Sequence, residues 1–282
     1  MTNLLNNIRF FLKTNIIEAL NLGKFLSSHN SDMLRIIMFH DTPKNEHFIY
    51  ERQIKYLIST GWKILDPRKF IKDKINKKNF LGKNIVITFD DGLKSNKELA
   101  ERLKIKFGIK SIFFVPYLFI KMKKTNEIKK FCLDKLKINK KKYYKLNLNL
   151  NDLKNLINNG HVVGSHTINH FNLKKINNLK VLNNEIVGSK KLLTKSLKKK
   201  IHTFAFTYGT LKDISQDSIN ISLKNYDLIF SGIRGNNIKN SKILFRDEIN
   251  KSYSNLMCQS LLNGNIDFFY NSSRKKLLKT SK

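Results

Sequence analysis

The sequence predicts an α/β fold in which parallel strands form a barrel. Three observations carry this. Short apolar runs alternate with helical periodicities along most of the chain, and such alternation implies parallel pairing with right-handed crossovers. Polar residues with chemistry to offer stand where the apolar runs end, and in a barrel the strand C-termini converge on one face. A chain of 282 residues, 41% of them apolar and 11% aromatic, can bury the core of a single barrel.

The elements follow in order. Leu34 to Phe39 reads as a buried strand that ends at His40-Asp41-Thr42-Pro43. Phe48 to Thr60 has helical spacing (Ile49, Ile54, Leu57, Ile58) and stops at Gly61; Trp62 to Leu65 suggests a short strand. Ile85 to Phe89 is a strand feeding Asp90-Asp91-Gly92. A helix over Ser95 to Lys106, capped near Ser95 or Asn96, closes at Gly108. Ile109 to Val115 is a strand broken by Pro116. Residues 117–150 are rich in Lys and read as an insertion over one face. Asp152 to Asn159 is helical up to Gly160, and His161 to Ser165 is a strand. Ile176 to Leu197 reads as one long helix with a basic end, Lys198-Lys199-Lys200. His202 to Phe206 is a strand running into Thr207-Tyr208-Gly209. A helix (Ile214 to Lys224), a strand (Asp227 to Phe230), an apolar run (Ile243 to Phe245) leading to Arg246-Asp247, and a helix (Tyr253 to Leu262) complete the series. The expected organisation is an N-terminal helical segment over 1–30, a barrel over 31–265 and a basic tail over 266–282.

Composition narrows the partners. Lys and Arg number 54 against 21 Asp and Glu, a formal net charge of +33. Such a field favours anionic partners. The excess is almost all Lys and comes with abundant Asn, Ile and Phe, the set that AT-rich codons supply. The charge therefore reads first as solvated surface. Nucleic-acid binding would rest on charge alone, since no zinc-finger or RRM signature is present. Two cysteines, Cys132 and Cys258, make no disulfide framework and no zinc spacing. Residues 1–30 lack a continuous apolar stretch with a small-residue cleavage site, so no secretory signal is expected. No run of 18 apolar residues suggests a membrane span. Residues 4–26 have the pattern of a basic amphipathic helix, which packs on the barrel or lies on a membrane surface.

Two segments carry the chemistry. Thr88-Phe89-Asp90-Asp91-Gly92 puts adjacent carboxylates on a turn, with side chains that diverge, so one can face a metal and the other a water. Asp and Gly are also ordinary turn residues. In Ser165-His166-Thr167-Ile168-Asn169-His170, two imidazoles stand four apart, a zinc-site spacing. Of the 7 His in the chain, His161, His166 and His170 fall within one short stretch, which favours a site over scattered surface His. Two His and one Asp can hold a divalent metal with an open position, and a second Asp can act as base.

Taken together the segments resemble the polysaccharide deacetylase family, also called the NodB-homology domain or family 4 carbohydrate esterases. The first family motif, TFDDG, stands at Thr88–Gly92. The second, His-Ser/Thr-x-x-x-His after Gly-His-x-x-Gly, spans Gly160 to His170. The third, FAYPYG in one branch, reads Phe204-Ala205-Phe206-Thr207-Tyr208-Gly209. That branch also has an early strand ending as at Phe39-His40, and a later segment similar to Phe48, Gln53-Ile54, Leu57 and Gly61-Trp62. The resemblance runs from about Arg35 to Arg246.

It implies a distorted (β/α)7 barrel in a single NodB-homology-like domain. It also implies a divalent metal, zinc first, on Asp91, His166 and His170, with Asp90 as the base that activates the attacking water. The substrate would be an N-acetylated sugar or, less often, an O-acetyl ester, with a backbone N–H near Tyr208 at the oxyanion. Three departures stand out. No late Leu-x-His motif supplies the general acid, so His40 takes that role by analogy with the branch that uses an early His. Thr207 replaces the usual Pro. An Arg expected before the third motif is missing, and Arg246 is its best substitute as partner of Asp90. The reading is a metal-dependent deacetylase acting on an acetylated sugar or oligosaccharide, carried on a nucleotide or lipid. Its expected place is cytoplasmic, with peripheral association at an anionic inner-membrane face. The alternative is a catalytically weakened member that binds a glycan or a membrane assembly.

Overall fold

A computed structural model describes residues 32–279; the segment expected as an N-terminal helix over 1–30 lies outside them. The elements are β1 (Met33–Phe39), α1 (His47–Ser59), β2 (Lys63–Ile64), α2 (Pro67–Ile75), β3 (Lys83–Phe89), α3 (Lys94–Phe107) and β4 (Ile112–Val115). Then come α4 (Tyr117–Lys121), α5 (Thr125–Phe131), α6 (Leu150–Asn158), β5 (Val162–Ser165), α7 (Leu179–Asn183) and α8 (Ser189–Leu197). The chain closes with β6 (Thr203–Ala205), α9 (Gln216–Asn225), β7 (Leu228–Phe230), β8 (Ile243–Leu244), β9 (Asp247–Glu248), α10 (Asn255–Leu262) and α11 (Asn271–Lys279). Among these residues, no helix is long and apolar enough to cross a membrane.

The strands form one curled parallel sheet in the order β8-β7-β6-β5-β4-β3-β1-β9, with β2 on the first half of β3. Seven strands, β1 and β3 to β8, make the body of the distorted barrel, as the family resemblance implies. β8 and β9 lie at opposite ends of the strand order, yet only Phe245 and Arg246 separate them in the chain. The gap in the barrel wall is thus crossed by a covalent seam of two residues.

Alternation along the strands sorts the core into two layers. Ile37, Phe39, Ile85, Ile87, Phe89, Phe113, Val115, Phe204 and Ile229 pack in the large cluster that includes the helices. Leu34, Ile36, Val86, Ile112, Phe114, Ala205, Leu228, Phe230 and Leu244 make a second cluster. This second set, of opposite parity, faces the barrel interior. Continuing the inner parity past the strand ends gives His40, Asp90, His166 and Arg246. That is the physical reason residues up to 206 positions apart meet in one cleft. Gly164 on β5 also follows from this layer: a Cβ there would sit 2.5 Å from the Phe114 ring and from Thr203 Oγ1.

Differences from the sequence reading have local causes. Residues 66–75 had no assignment, but Asp66 caps α2 by accepting from the Arg68 and Lys69 N–H groups, with Pro67 in the first turn. The single helix expected over Ile176 to Leu197 is α7, a π-turn over Asn184–Gly188, and α8. The Lys-rich insertion is ordered around its own core of Leu93, Phe119, Ile128, Phe131, Cys132 and Tyr143. It includes a π-turn over Cys132–Leu136 and is joined to the barrel by the Leu93–Asn147 bridge. The segment read as a basic tail holds α11, whose Leu277 is fully buried.

Candidate active site

Strand register places the site. Phe39 pairs with Phe89, so His40 and Asp90 leave the sheet side by side, and the Asp90 N–H donates to Phe39 O. Val115 pairs with Ser165, and the His166 N–H donates to Val115 O one residue on. Beyond β8, the Arg246 N–H donates to Ile233 O. His40, Asp90, Asp91, His166, His170, Tyr208 and Arg246 all border one cavity of about 130 Å³.

Asp91, His166 and His170 are buried and offer ligand atoms that all lie within 4.8 Å of one another. Asp91 Oδ1 is 3.2 Å from His170 Nε2 and 3.7 Å from His166 Nε2. His166 Nδ1 is 2.8 Å from Ala205 O, so Nδ1 carries the proton and donates it, leaving the Nε2 lone pair turned to the carboxylate. His170 Nδ1 is buried and has no partner among the described residues. Two imidazole nitrogens and one carboxylate oxygen, gathered in one buried cluster, suit a divalent ion of the zinc type. The residues present fit such an ion.

Electrostatics in this pocket oppose protonation. Burial alone would raise the Asp91 carboxyl, but the His170 hydrogen bond and the nearby imidazoles of His170, His40 and His166 hold it far below the usual range. Burial pushes the His166 imidazole down to about 4, with Asp90 opposing and His170 reinforcing. A His with a depressed native pKa binds its proton first in the unfolded chain, so stability falls as pH falls through that window. The metal-free protein is therefore expected to lose thermal stability between about pH 6.5 and about pH 4, as His161 is likewise pushed to about 4. Melting temperatures across that range, with His166→Gln for comparison, check the prediction; a flat profile in the parent protein would remove it.

Asp90 is 2% exposed and receives Arg246 Nη1 at 2.7 Å. Arg246, 1% exposed, also donates through Nε to Ser231 O and lies over the Phe114 ring at 5.4 Å. Asp90 O accepts from Asn96 Nδ2, whose Oδ1 accepts from Thr42 Oγ1. His40 Nδ1 stands 3.8 Å from Glu248 Oε1 at the more open side of the cavity. The Tyr208 ring packs edge-on against His170 and its hydroxyl donates to Lys135 O. Among the described residues nothing accepts from the Tyr208 N–H. Thr207 Oγ1 donates to Phe171 O, tying the third motif to the residue after His170. A proline there could not make this bond.

Four non-glycine residues here hold left-handed φ: Asp91 at 70°, Thr167 at 69°, His170 at 54° and Tyr208 at 59°. Each costs of order 1–3 kcal/mol and persists only where its surroundings impose it. For the His loop, the imposing residue is one the sequence reading missed. Glu185, 2% exposed on the π-turn, accepts from the Ile168 and Asn169 N–H groups and from Asn169 Nδ2. Ser189 Oγ donates to Thr167 O from the same helical stretch. The extra residue of a π-turn often marks a functional site, but nothing in the helical pattern announces it. Glu185→Ala orphans two backbone donors and is expected to cost about 1–3 kcal/mol of stability and to weaken metal binding ~10–100-fold. Calorimetric metal titration beside thermal melting separates the two effects; unchanged metal affinity would show that Glu185 does not position the loop. The sequence reading also missed Glu248, Asn96 and the cavity-wall residues Lys135 and Leu136.

A family model for polysaccharide deacetylase matches residues 77–224, a span that contains the Asp-Asp-Gly turn and both histidines. The chain belongs to the polysaccharide deacetylase family. It is a sugar deacetylase, a hydrolase by class. Similar solved structures agree with the fold. The Streptococcus pyogenes deacetylase PplD, in complex with acetate, is 19% identical with a TM-score of 0.63, covering 83% of this chain and 98% of that one. IcaB from Ammonifex degensii is 17% identical with a TM-score of 0.65, covering 84% and 98%. A de-N-acetylase from Aggregatibacter actinomycetemcomitans is 16% identical with a TM-score of 0.65, covering 82% and 100%. At these identities the likeness is one of fold. No curated protein sequence matches the chain. Deacetylases of this family are generally metal-dependent, and the Asp91, His166 and His170 cluster is the deacetylase's candidate metal centre.

Proposed function

We propose that this deacetylase hydrolyses the acetamide of an N-acetylated sugar, with Asp90 as general base, His40 as general acid and zinc on Asp91, His166 and His170. The observation that carries this is the buried Arg246–Asp90 pair at 2.7 Å, set beside the ligand cluster in one cavity. A module that only bound glycan would have no use for a carboxylate buried beside a metal site and aligned by an arginine, which favours the catalytic reading over the weakened-member alternative. When bound, the ion supplies Lewis acidity toward the acetyl carbonyl and acidifies the attacking water. Asp90 takes the proton from that water, and Arg246 fixes the orientation of its carboxylate. The Tyr208 N–H donates to the developing oxyanion. His40 gives a proton to the leaving amine, since imidazoles that hold the metal through Nε2 present no N–H to it.

The proposed substrate is a glycan precursor on a phosphorylated carrier, nucleotide or lipid. Lys135 on the cavity wall, its Nζ 4.4 Å from the Phe171 ring centre, and the +33 charge of the chain both favour an anionic carrier. The test is acetate release from nucleotide-linked, lipid-diphosphate-linked and neutral oligomeric N-acetylhexosamines. Release from the phosphorylated substrates, abolished by a chelator and restored by zinc, is expected. A preference for the neutral oligomer would remove the carrier, and no release from any of them by metal-loaded protein would remove the activity.

His40→Ala is expected to keep its metal and lose ~10²–10⁴-fold in turnover. The alkaline limb of the pH–rate profile, where a general acid gives up its proton, should flatten. An unaltered profile would reassign the acid.

A further inference from the structure

At the other end of the barrel, where β5 and β6 begin, lies a second cavity of about 430 Å³. Small-molecule pockets typically span ~300–1,000 Å³. Ile71, Ile157, Val163 and Ile201 give it an apolar lining. Its charged lining residues are Arg68, Lys72, Lys199 and Lys200, with no Asp or Glu. Among the described residues, no carboxylate lies within salt-bridge distance of Lys72, Lys199 or Lys200. Asp66 pairs with Arg68 and Lys110, and Asp227 with His202, which leaves Lys72, Lys199 and Lys200 as the lining cations without a carboxylate.

His161 adds a donor. The Ser111 N–H donates to its Nδ1 at 3.1 Å, which places the ring proton on Nε2. Nε2 is buried with no hydrogen-bond partner, and His161 also lines the cavity. The charged groups around the ring are Lys104, Lys110 and Arg68, with Asp66 opposing. The site thus joins an apolar interior to three unneutralised lysines and an unused N–H.

We propose that this cavity binds a single-chain anionic amphiphile. Its hydrocarbon chain would lie against Ile71, Ile157, Val163 and Ile201, and its carboxylate or phosphate head among Lys72, Lys199 and Lys200. Charge decides the occupant. The chain's own residues 1–30 carry Arg9, Lys13 and Lys24 against Glu18, the wrong sign for this rim. A second copy, at +33, is repelled more strongly still.

Isothermal titration with dodecanoate and dodecyl phosphate below their micelle concentrations tests the site, with dodecanol and dodecyltrimethylammonium as controls. One saturable site for both anions is expected, with the cation at least about tenfold weaker. The double substitution Lys199→Glu with Lys200→Glu should weaken the anions about tenfold. Ile201→Trp should fill the cavity and abolish binding with metal content unchanged; Lys72→Glu is the second probe if Ile201→Trp does not fold. Equal binding of anion and cation, or unchanged affinity in the folded variants, overturns the proposal. So does adsorption to anionic phosphatidylglycerol vesicles without binding of the free amphiphiles, which marks surface charge alone.

Discussion

Asp90→Asn is expected to retain its metal and lose ~10²–10⁴-fold in turnover, the usual cost of removing a general base. Asp90 and Asp91 are neighbours, but the positive φ of Asp91 turns their side chains apart, one to Arg246 and the other to the two imidazoles. The substitution removes a charge from a buried ion pair, so some stability goes with it. Breaking such a pair costs about 3–5 kcal/mol when a partner is deleted outright. The amide oxygen can still accept from Arg246, whose Nε keeps Ser231 O, so the loss here should be smaller. Metal analysis, melting and turnover on one sample separate these effects. If Asp90→Asn shed its metal while Asp91→Asn kept it, the two roles would be exchanged.

His166→Ala is the second large effect. Near-stoichiometric metal in the parent protein should be lost, and turnover with it. The imidazole is 2% exposed, so its removal also leaves a cavity and orphans the Ala205 carbonyl. His166→Gln preserves most of the volume and keeps a donor for that carbonyl. Both variants should therefore fail to hold metal while differing in melting temperature. Full metal retention in His166→Gln would remove the assignment of the centre.

The barrel and its chemical end were legible because they depend on local signals. Apolar runs of strand length ended at His40, Asp90 and His166, and parity along the strand is fixed by the backbone itself. Arg246 was legible as the cation following the last apolar run, though its contact with Asp90 depends on the barrel curling until its two edges meet. Glu185 was not legible. Its place on a π-turn is created by packing against the loop it holds, and Glu within a helical pattern normally reads as solvent-facing. The cap at Asp66 was present in the sequence as Asp-Pro ahead of Phe70 and Ile71, but the surrounding lysines masked the apolar period. The insertion over 117–150 was opaque because its apolar residues serve a small separate core and follow no repeat.

The two-residue seam between β8 and β9 makes the protein unequally tolerant of changes in length. Arg246 is half of that seam and the only described cation hydrogen-bonded to the Asp90 carboxylate. A residue added between Leu244 and Arg246 would rotate the guanidinium off its target and shift the register of β9 against β1. The Lys-rich excursion between β4 and α6 keeps no such phase with the sheet. Lineages and protein engineers alike can lengthen or trim that excursion to reshape what enters the cleft, whereas the seam must be inherited at fixed length.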